Sequence, residues 1–457
     1  MACGLNETTL PDSARKAAQI NLFDTLACAV AGSSAAAVAE TRELVTEWGG
    51  RPQAGVWVFG DRVPAHHAAW LNGTMAHARD YDDTHDAAVL HAGVSVVPAA
   101  LAAAELMGGV SGQELLCAVA AGLETICRLG MGTRITIVES GFMYTPLLGY
   151  FAATVAAARV MRFDEAQTQN ALGIVYSQVA GNHQVTRDGA LTKRMQPGFA
   201  AMSALVSVQL ARKGVRGAQH SFDGSDGFFR VYLRDRIDRS ALTEGLGERF
   251  EFEHLSYKPY PCCRFNHNPI GAALALRAQV GDVARIRRVQ VGVNHQAYEA
   301  VCTPIEVRKA PKTVVLAQFS IPYTVAAALI DGDVGLSHFS PESLLRPDLL
   351  ALARKIEGHM DPIIERDAGR SVSPADLRIE FTDGQVLQHR MDVPLGHYQQ
   401  PMSESDFDRK AEDCFRHTAK PLHPNAAHHL RQWVNDLTTI PRTGSLYPVL
   451  NSAEEAP

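Results

Sequence analysis

Apolar and polar positions follow two different periods along this chain, and the change between them falls after Ser256. From Ser13 to about Val215 the apolar residues recur at helical spacing. Ala17, Ile20, Leu22, Phe23, Leu26 and Val30 form the first such stripe, which Ala31-Gly32-Ser33 interrupts. The same spacing predicts helices over 35–47, 64–78, 94–106, 112–129, 146–160, 164–179 and 198–212. Many of these segments are alanine-rich and weakly polar on every face, as helices packed among other helices are. The exception is 54–59, Ala-Gly-Val-Trp-Val-Phe, a short β-prone run between glycines.

Beyond Ser256 the period drops to two. Residues 284–295, Ala-Arg-Ile-Arg-Arg-Val-Gln-Val-Gly-Val-Asn-His, read as a strand. Two more, 377–381 and 386–391, are joined through Thr382-Asp383-Gly384, a hairpin signal. Helical patterns at 320–330, 341–345 and 347–355 lie between them. After Pro394-Leu395-Gly396-His397 the helical period returns at 403–417 and 426–437, and the tail from Asn451 reads as disordered. The predicted fold is mainly α. An all-helical domain is built from both chain ends (1–265 and 401–457), with an inserted α+β lid domain (266–400) and a cleft between the two bodies.

Composition narrows the function classes. A chain of 457 residues that is 46% hydrophobic and 20% charged has the profile of a globular protein of two or three domains. A net charge of -6 argues against nucleic-acid and anionic-membrane partners. The N-terminus lacks the basic and apolar regions of a signal peptide, and apolar stretches such as 26–39 and 94–107 are too short to span a bilayer. The eight cysteines include no C-x-x-C pair and read as reduced thiols of a cytoplasmic protein.

Three stretches could carry chemistry. The first, Asn72 to His91, crowds Asp80, Asp82, Asp83, His85 and Asp86 between His77 and His91, inside apolar sequence. Such groups cost several kcal/mol each to desolvate unless they are paired or line a cleft. The expected local structure is helix–loop–helix. On a continuous helix Asp80, Thr84 and His91 would share one face. Carboxylates beside a histidine suit general acid–base work, and Asp80, Asp82, Asp83 and His85 could alternatively hold a metal. The second stretch, Gly189 to Gly198, puts Lys193 and Arg194 in a loop before a helix, where cations oppose the helix dipole and suit a carboxylate. The third, Tyr257 to His267, crowds Lys258, Arg264 and His267 between prolines. Its tandem Cys262-Cys263 lack metal spacing and read as small buried residues.

With these motifs the chain resembles the MmgE/PrpD family, which includes 2-methylcitrate dehydratase, cis-aconitate decarboxylase and iminodisuccinate epimerase. The resemblance rests on His77-x-x-Asp80-Tyr-Asp-Asp83-Thr84, Thr192-Lys193-Arg194 and Lys258-Pro-Tyr-Pro-Cys-Cys-Arg264-Phe-x-His267. Gln318-Phe-Ser-Ile-Pro-Tyr323 and Pro394-x-Gly396 reinforce it, and the matches run from about residue 15 to 440. It implies a homodimer without metal or organic cofactor, acting by proton transfer at a carbon next to a carboxylate of a small di- or tricarboxylate. It also implies His91 as the proton-transfer group and Asp80 as the residue that orients it or accepts a proton. Thr84, Lys193, Lys258, Arg264 and His267 then bind substrate, and Tyr323 serves as a lid-borne acid.

Decarboxylases and many dehydratases of the family carry Gly-Phe-His-Pro-Thr, where this chain has Gly141-Phe142-Met143-Tyr144-Thr145. A second decarboxylase histidine falls on Cys263. Tyr144 is the candidate to replace the first. The expected reaction is therefore a 2-methylcitrate dehydratase-like elimination of water, with epimerisation second and decarboxylation third. The alternatives are a metal-dependent enzyme and a non-catalytic carboxylate-binding relative.

Overall fold

In the computed structural model, which describes residues 2–6, 8–368, 372–446 and 450, the helical periodicity becomes a set of closely packed helices. Helix accounts for 57% of the structure. One compact unit comprises 1–255 and 407–457, the other 256–406.

The first unit begins with α1 (Asp12–Gly32) and α2 (Val38–Trp48). The β-prone run is there reduced to a two-residue ribbon, β1 (Ala54–Gly55) against β2 (Arg62–Val63). Helices α3 (Ala65–His77), α4 (Gly93–Leu106), α5 (Gly112–Gly132), α6 (Tyr144–Val160), α7 (Glu165–Tyr176) and α8 (Thr192–Arg212) follow. Ser111 and Glu114 form a capping box at the start of α5. That helix is long and apolar enough to cross a membrane by length and composition, but it is mostly buried inside the protein.

Helix α3 is gripped from two sides by backbone. A Cβ on Gly32 of α1 would lie 1.8 Å from the Met75 carbonyl oxygen, and one on Gly198 of α8 would lie 2.4 Å from that of Trp70. Glycine at both crossings lets α1 and α8 approach closely enough to fix where His77 emerges. Gly198→Ala is therefore expected to destabilise the protein, although alanine is the better helix former by about 1 kcal/mol. Overpacking of about 1–3 kcal/mol outweighs that gain. A denaturant midpoint equal to or above the parent's would refute it.

Helix α8 also corrects an expectation. Lys193 and Arg194 do not precede the helix in a loop; they occupy its first turn, and the helix runs through Pro197. Packing of Gly198 on α3 holds the helix together there against the local cost of proline.

In the second unit, α9 (His267–Val280) leads into β3 (Ile286–Val293), then α10 (Ile321–Asp331), α11 (Pro347–Ala353), β4 (Ile356–Met360), β5 (Ala375–Phe381) and β6 (Val386–Met391). The sheet order is β4-β3-β5-β6, with β4 parallel to β3 and the other pairs antiparallel. Two consecutive arginines break the alternation in β3, and the register shifts between Ile286 and Arg288, as at a bulge. Val289, Val291, Leu377 and Ile379 join Ile270, Leu276 and Leu329 of the helices in a single core. Helices α12 (Glu404–Arg416) and α13 (Ala426–Asn435) close the chain. The tail expected to be disordered lies outside the described residues.

Candidate active site

His77 ends α3, and the chain needs fifteen residues of loop before α4 begins at Gly93. Asp80 and Val89 turn the backbone through left-handed conformations (φ 54° and 55°), so the segment is not the continuous helix that would align Asp80, Thr84 and His91. Asp83 pins the far end of the loop. Its carboxylate accepts the N–H groups of Ala92 (2.8 Å) and Gly93 (3.0 Å) at the start of α4, where a negative charge is favoured. His85 is structural as well: its Nδ1 accepts the N–H of Ala88 at 3.2 Å.

These anchors leave Asp82, fully buried, at the centre of the cluster. Its Oδ2 accepts a hydrogen bond from His77 Nδ1 at 2.9 Å. His91 Nδ1 stands equally close, at 2.9 Å, but off the line of a hydrogen bond. The two imidazole rings meet edge to face with centroids 4.7 Å apart. Lys193, delivered by the first turn of α8, places Nζ 3.4 Å from His77 Nε2 and 3.3 Å from Asp80 Oδ2. The carboxylate at His91 is thus Asp82 and not Asp80, which faces the lysine instead. His91 has a 16% exposed side chain, against 3% for His77, and no described group bonds its Nε2.

The other candidates are engaged as follows. The Thr84 hydroxyl donates to Asp86 at 2.8 Å, and the Thr145 hydroxyl accepts the His91 backbone N–H at 3.0 Å. The Tyr144 hydroxyl donates to the Ile135 carbonyl. Four candidates belong to the second unit. Lys258 is buried there, and Arg264 approaches His267 at 3.2 Å and the Leu395 carbonyl at 3.4 Å. The Tyr323 hydroxyl lies 2.8 and 3.0 Å from the carbonyls of His338 and Ser343, and burial pushes its ionisation upward. Both tyrosines would have to give up a backbone bond before acting as acids.

Burial favours the neutral form of Asp82, but the two imidazoles outweigh it and hold the carboxyl well below its usual range. Burial also lowers His77 and His85 to about 4. The unfolded chain takes up protons on these histidines as pH falls below about 6.5, whereas the folded chain waits until about 4. Each therefore loses about 2 kcal/mol of stabilisation between pH 6.5 and 5. Asp24, raised to about 6 by burial, works in the opposite direction over part of that range. The histidine effect is consequently read as a difference: His85→Gln is expected to lose less stability than the parent between pH 7 and 5. Parallel stability curves for the two proteins would contradict it.

The ligand set expected for a metal, Asp80, Asp82, Asp83 and His85, is not gathered. Among the described residues His77, Asp82 and His91 are the group whose ligand atoms all lie within 4.8 Å of one another.

A buried carboxylate, two imidazoles and an ammonium in contact are the groups that acid–base chemistry draws on. The MmgE/PrpD N-terminal domain matches residues 1–240 and the MmgE/PrpD C-terminal domain residues 260–431. The chain belongs to the MmgE/PrpD family, and it is an enzyme, a lyase or isomerase. It is 27% identical over 425 residues to the cis-aconitate decarboxylase-like protein oryM of Aspergillus oryzae, spanning 89% of this chain and 87% of that one. It is 26% identical over 414 residues to the cis-aconitate decarboxylase of Aspergillus terreus (86% and 84%). To that of Homo sapiens it is 23% identical over 418 residues (89% and 84%).

Proposed function

We propose that this protein is a cofactor-independent lyase that transfers a proton at the carbon next to a carboxylate of a small di- or tricarboxylate, with elimination of water as the first reading. The observation that carries it is His91 backed by the buried Asp82, with the Lys193 ammonium in the same cluster. In this reading His91 Nε2 takes the proton, the C–H electrons move onto the carboxylate, and Lys193 stabilises the resulting dianion. Asp80 holds the ammonium in place. Lys258, Arg264 and His267 bind a further carboxylate, Thr84 completes the substrate contacts, and Tyr323 or Tyr144 protonates the leaving group. The enzyme acts as a cytoplasmic homodimer.

The test is a thermal-shift screen of citrate, 2-methylcitrate, cis-aconitate and iminodisuccinate, followed by NMR of the products. A ligand at ~100 times its dissociation constant adds about 2.7 kcal/mol. Water loss from a hydroxy acid supports the proposal, and inversion without loss would make the enzyme an epimerase. Turnover of any of these acids rules out a merely carboxylate-binding relative. Turnover of none of the four overturns the proposal.

The relatives' names favour a second reading, decarboxylation of cis-aconitate. Met143 and Cys263 stand where the decarboxylase pattern has histidines, which places this reading second. CO2 release from cis-aconitate would reverse the order.

A further inference from the structure

His77 stands between a carboxylate and an ammonium. Its Nδ1 lies 2.9 Å from Asp82 Oδ2 and its Nε2 lies 3.4 Å from Lys193 Nζ. An ammonium has only protons to offer, so Nε2 must supply the lone pair. The ring then carries its proton on Nδ1 and donates it to Asp82. We infer that Lys193 sets this tautomer of His77 and thereby closes the His77–Asp82–His91 cluster to divalent metal ions.

The reason is the geometry of the imidazole. A metal at the centre of the cluster would take the Nδ1 lone pair of His77. In a neutral ring the proton then sits on Nε2, where it faces the Lys193 ammonium donor to donor. The bound ion would also meet that ammonium's charge at close range. Without Lys193 the same three side chains offer two imidazoles and a carboxylate with open positions, a donor set suited to zinc or cobalt. Asp82 Oδ1 and His91 Nδ1 are buried and make no hydrogen bond among the described residues, so the cluster holds bonding capacity that the fold does not use. Lys193 thus has a task beyond binding substrate. It keeps an aspartate and two histidines available for proton transfer at a place where they would otherwise sequester a metal.

The test uses the full chain and needs no substrate, so its outcome is independent of the proposed reaction. Co2+ is titrated into the parent, Lys193→Met and Lys193→Arg, with visible absorption and isothermal calorimetry as readouts. Circular dichroism confirms that each variant is folded. Lys193→Met is expected to bind one Co2+ at least tenfold more tightly than the parent, with a ligand-field band that vanishes when Asp82→Asn is added. Lys193→Arg keeps a donor at Nε2 and should stay closed. Nitrogen-15 NMR of the parent's His77 should show the proton on Nδ1. A parent that binds Co2+ at this cluster as tightly as Lys193→Met, a folded Lys193→Met that binds none, or a His77 proton on Nε2 would each overturn the inference.

Discussion

Asp82→Asn is expected to lower kcat by about 10²- to 10⁴-fold with little change in KM, because it removes the carboxylate behind the proposed proton-transfer histidine and leaves the proposed substrate-binding cations in place. The asparagine nearly matches the aspartate in size, so the cluster can stay filled. Its neutral amide gives His91 and His77 no anion, and an imidazolium formed during turnover loses its counter-charge. His91→Gln should fall as far. His77→Gln should fall less, because His77 is turned toward Lys193 and its side chain is only 3% exposed. The measurement is steady-state kinetics on the acid identified by the screen, with circular dichroism to confirm folding. An Asp82→Asn enzyme within tenfold of the parent would remove the His91–Asp82 pair from the chemistry. A large rise in KM at unchanged kcat would make Asp82 a binding residue.

The sequence foretold the helices well where alanine-rich stripes set them. The predicted segments 64–78 and 94–106 appear as Ala65–His77 and Gly93–Leu106, and the hairpin strands 377–381 and 386–391 as Ala375–Phe381 and Val386–Met391. The arrangement within the acidic stretch was less legible. The family resemblance and the face of a continuous helix both point to Asp80, Thr84 and His91, and neither singles out Asp82. The left-handed turn at Asp80 breaks that geometry, and which loop carboxylate points inward depends on contacts that spacing does not encode. His77 carried a usable signal, since it lies at the end of an apolar helix immediately before the cluster. The start of α8 was misplaced because Pro197 reads as a boundary, whereas tertiary packing at Gly198 overrides it.

Lys410 shows a different kind of hidden information. On α12 the buried residues are Phe407, Lys410, Ala411 and Cys414, the spacing of a core-facing stripe with a lysine in it. That pattern is readable from sequence, but its partner is not, because Asp24 lies 386 residues away. The ammonium contacts Asp24 Oδ1 at 2.5 Å and donates to the Tyr81 carbonyl at 2.7 Å, next to Asp82. It also sits 4.5 Å from the centre of the Tyr81 ring. The closing helices are thereby tied to the loop that carries the candidate site.

Lys410→Met should cost about 3–5 kcal/mol, since it strands a buried carboxylate. Protonation limits the damage. Asp24, with an ordinary value of 3.8, is already raised to about 6 by burial with its cation present. Without the cation it folds as the neutral acid at pH 7, and holding that proton costs about 1.4 kcal/mol for each of the roughly three pH units down to the unfolded value, about 4 kcal/mol in all. The sign follows. The folded variant binds a proton that its unfolded chain releases above 3.8, so the penalty relative to the parent shrinks by about 1.4 kcal/mol as pH falls from 7 through about 6, below which the parent's Asp24 is protonated in the fold as well and the difference levels off. Adding Asp24→Leu removes the stranded acid and should recover about 2 kcal/mol or more at pH 7. It should not recover everything, because the Tyr81 carbonyl still lacks its donor, a deficit of about 1–3 kcal/mol. Denaturant unfolding of the parent and both variants at pH 7 and 5 measures all of this. A Lys410→Met penalty that stays constant between those pH values would show that Asp24 remains ionised in the fold, held by some group other than Lys410.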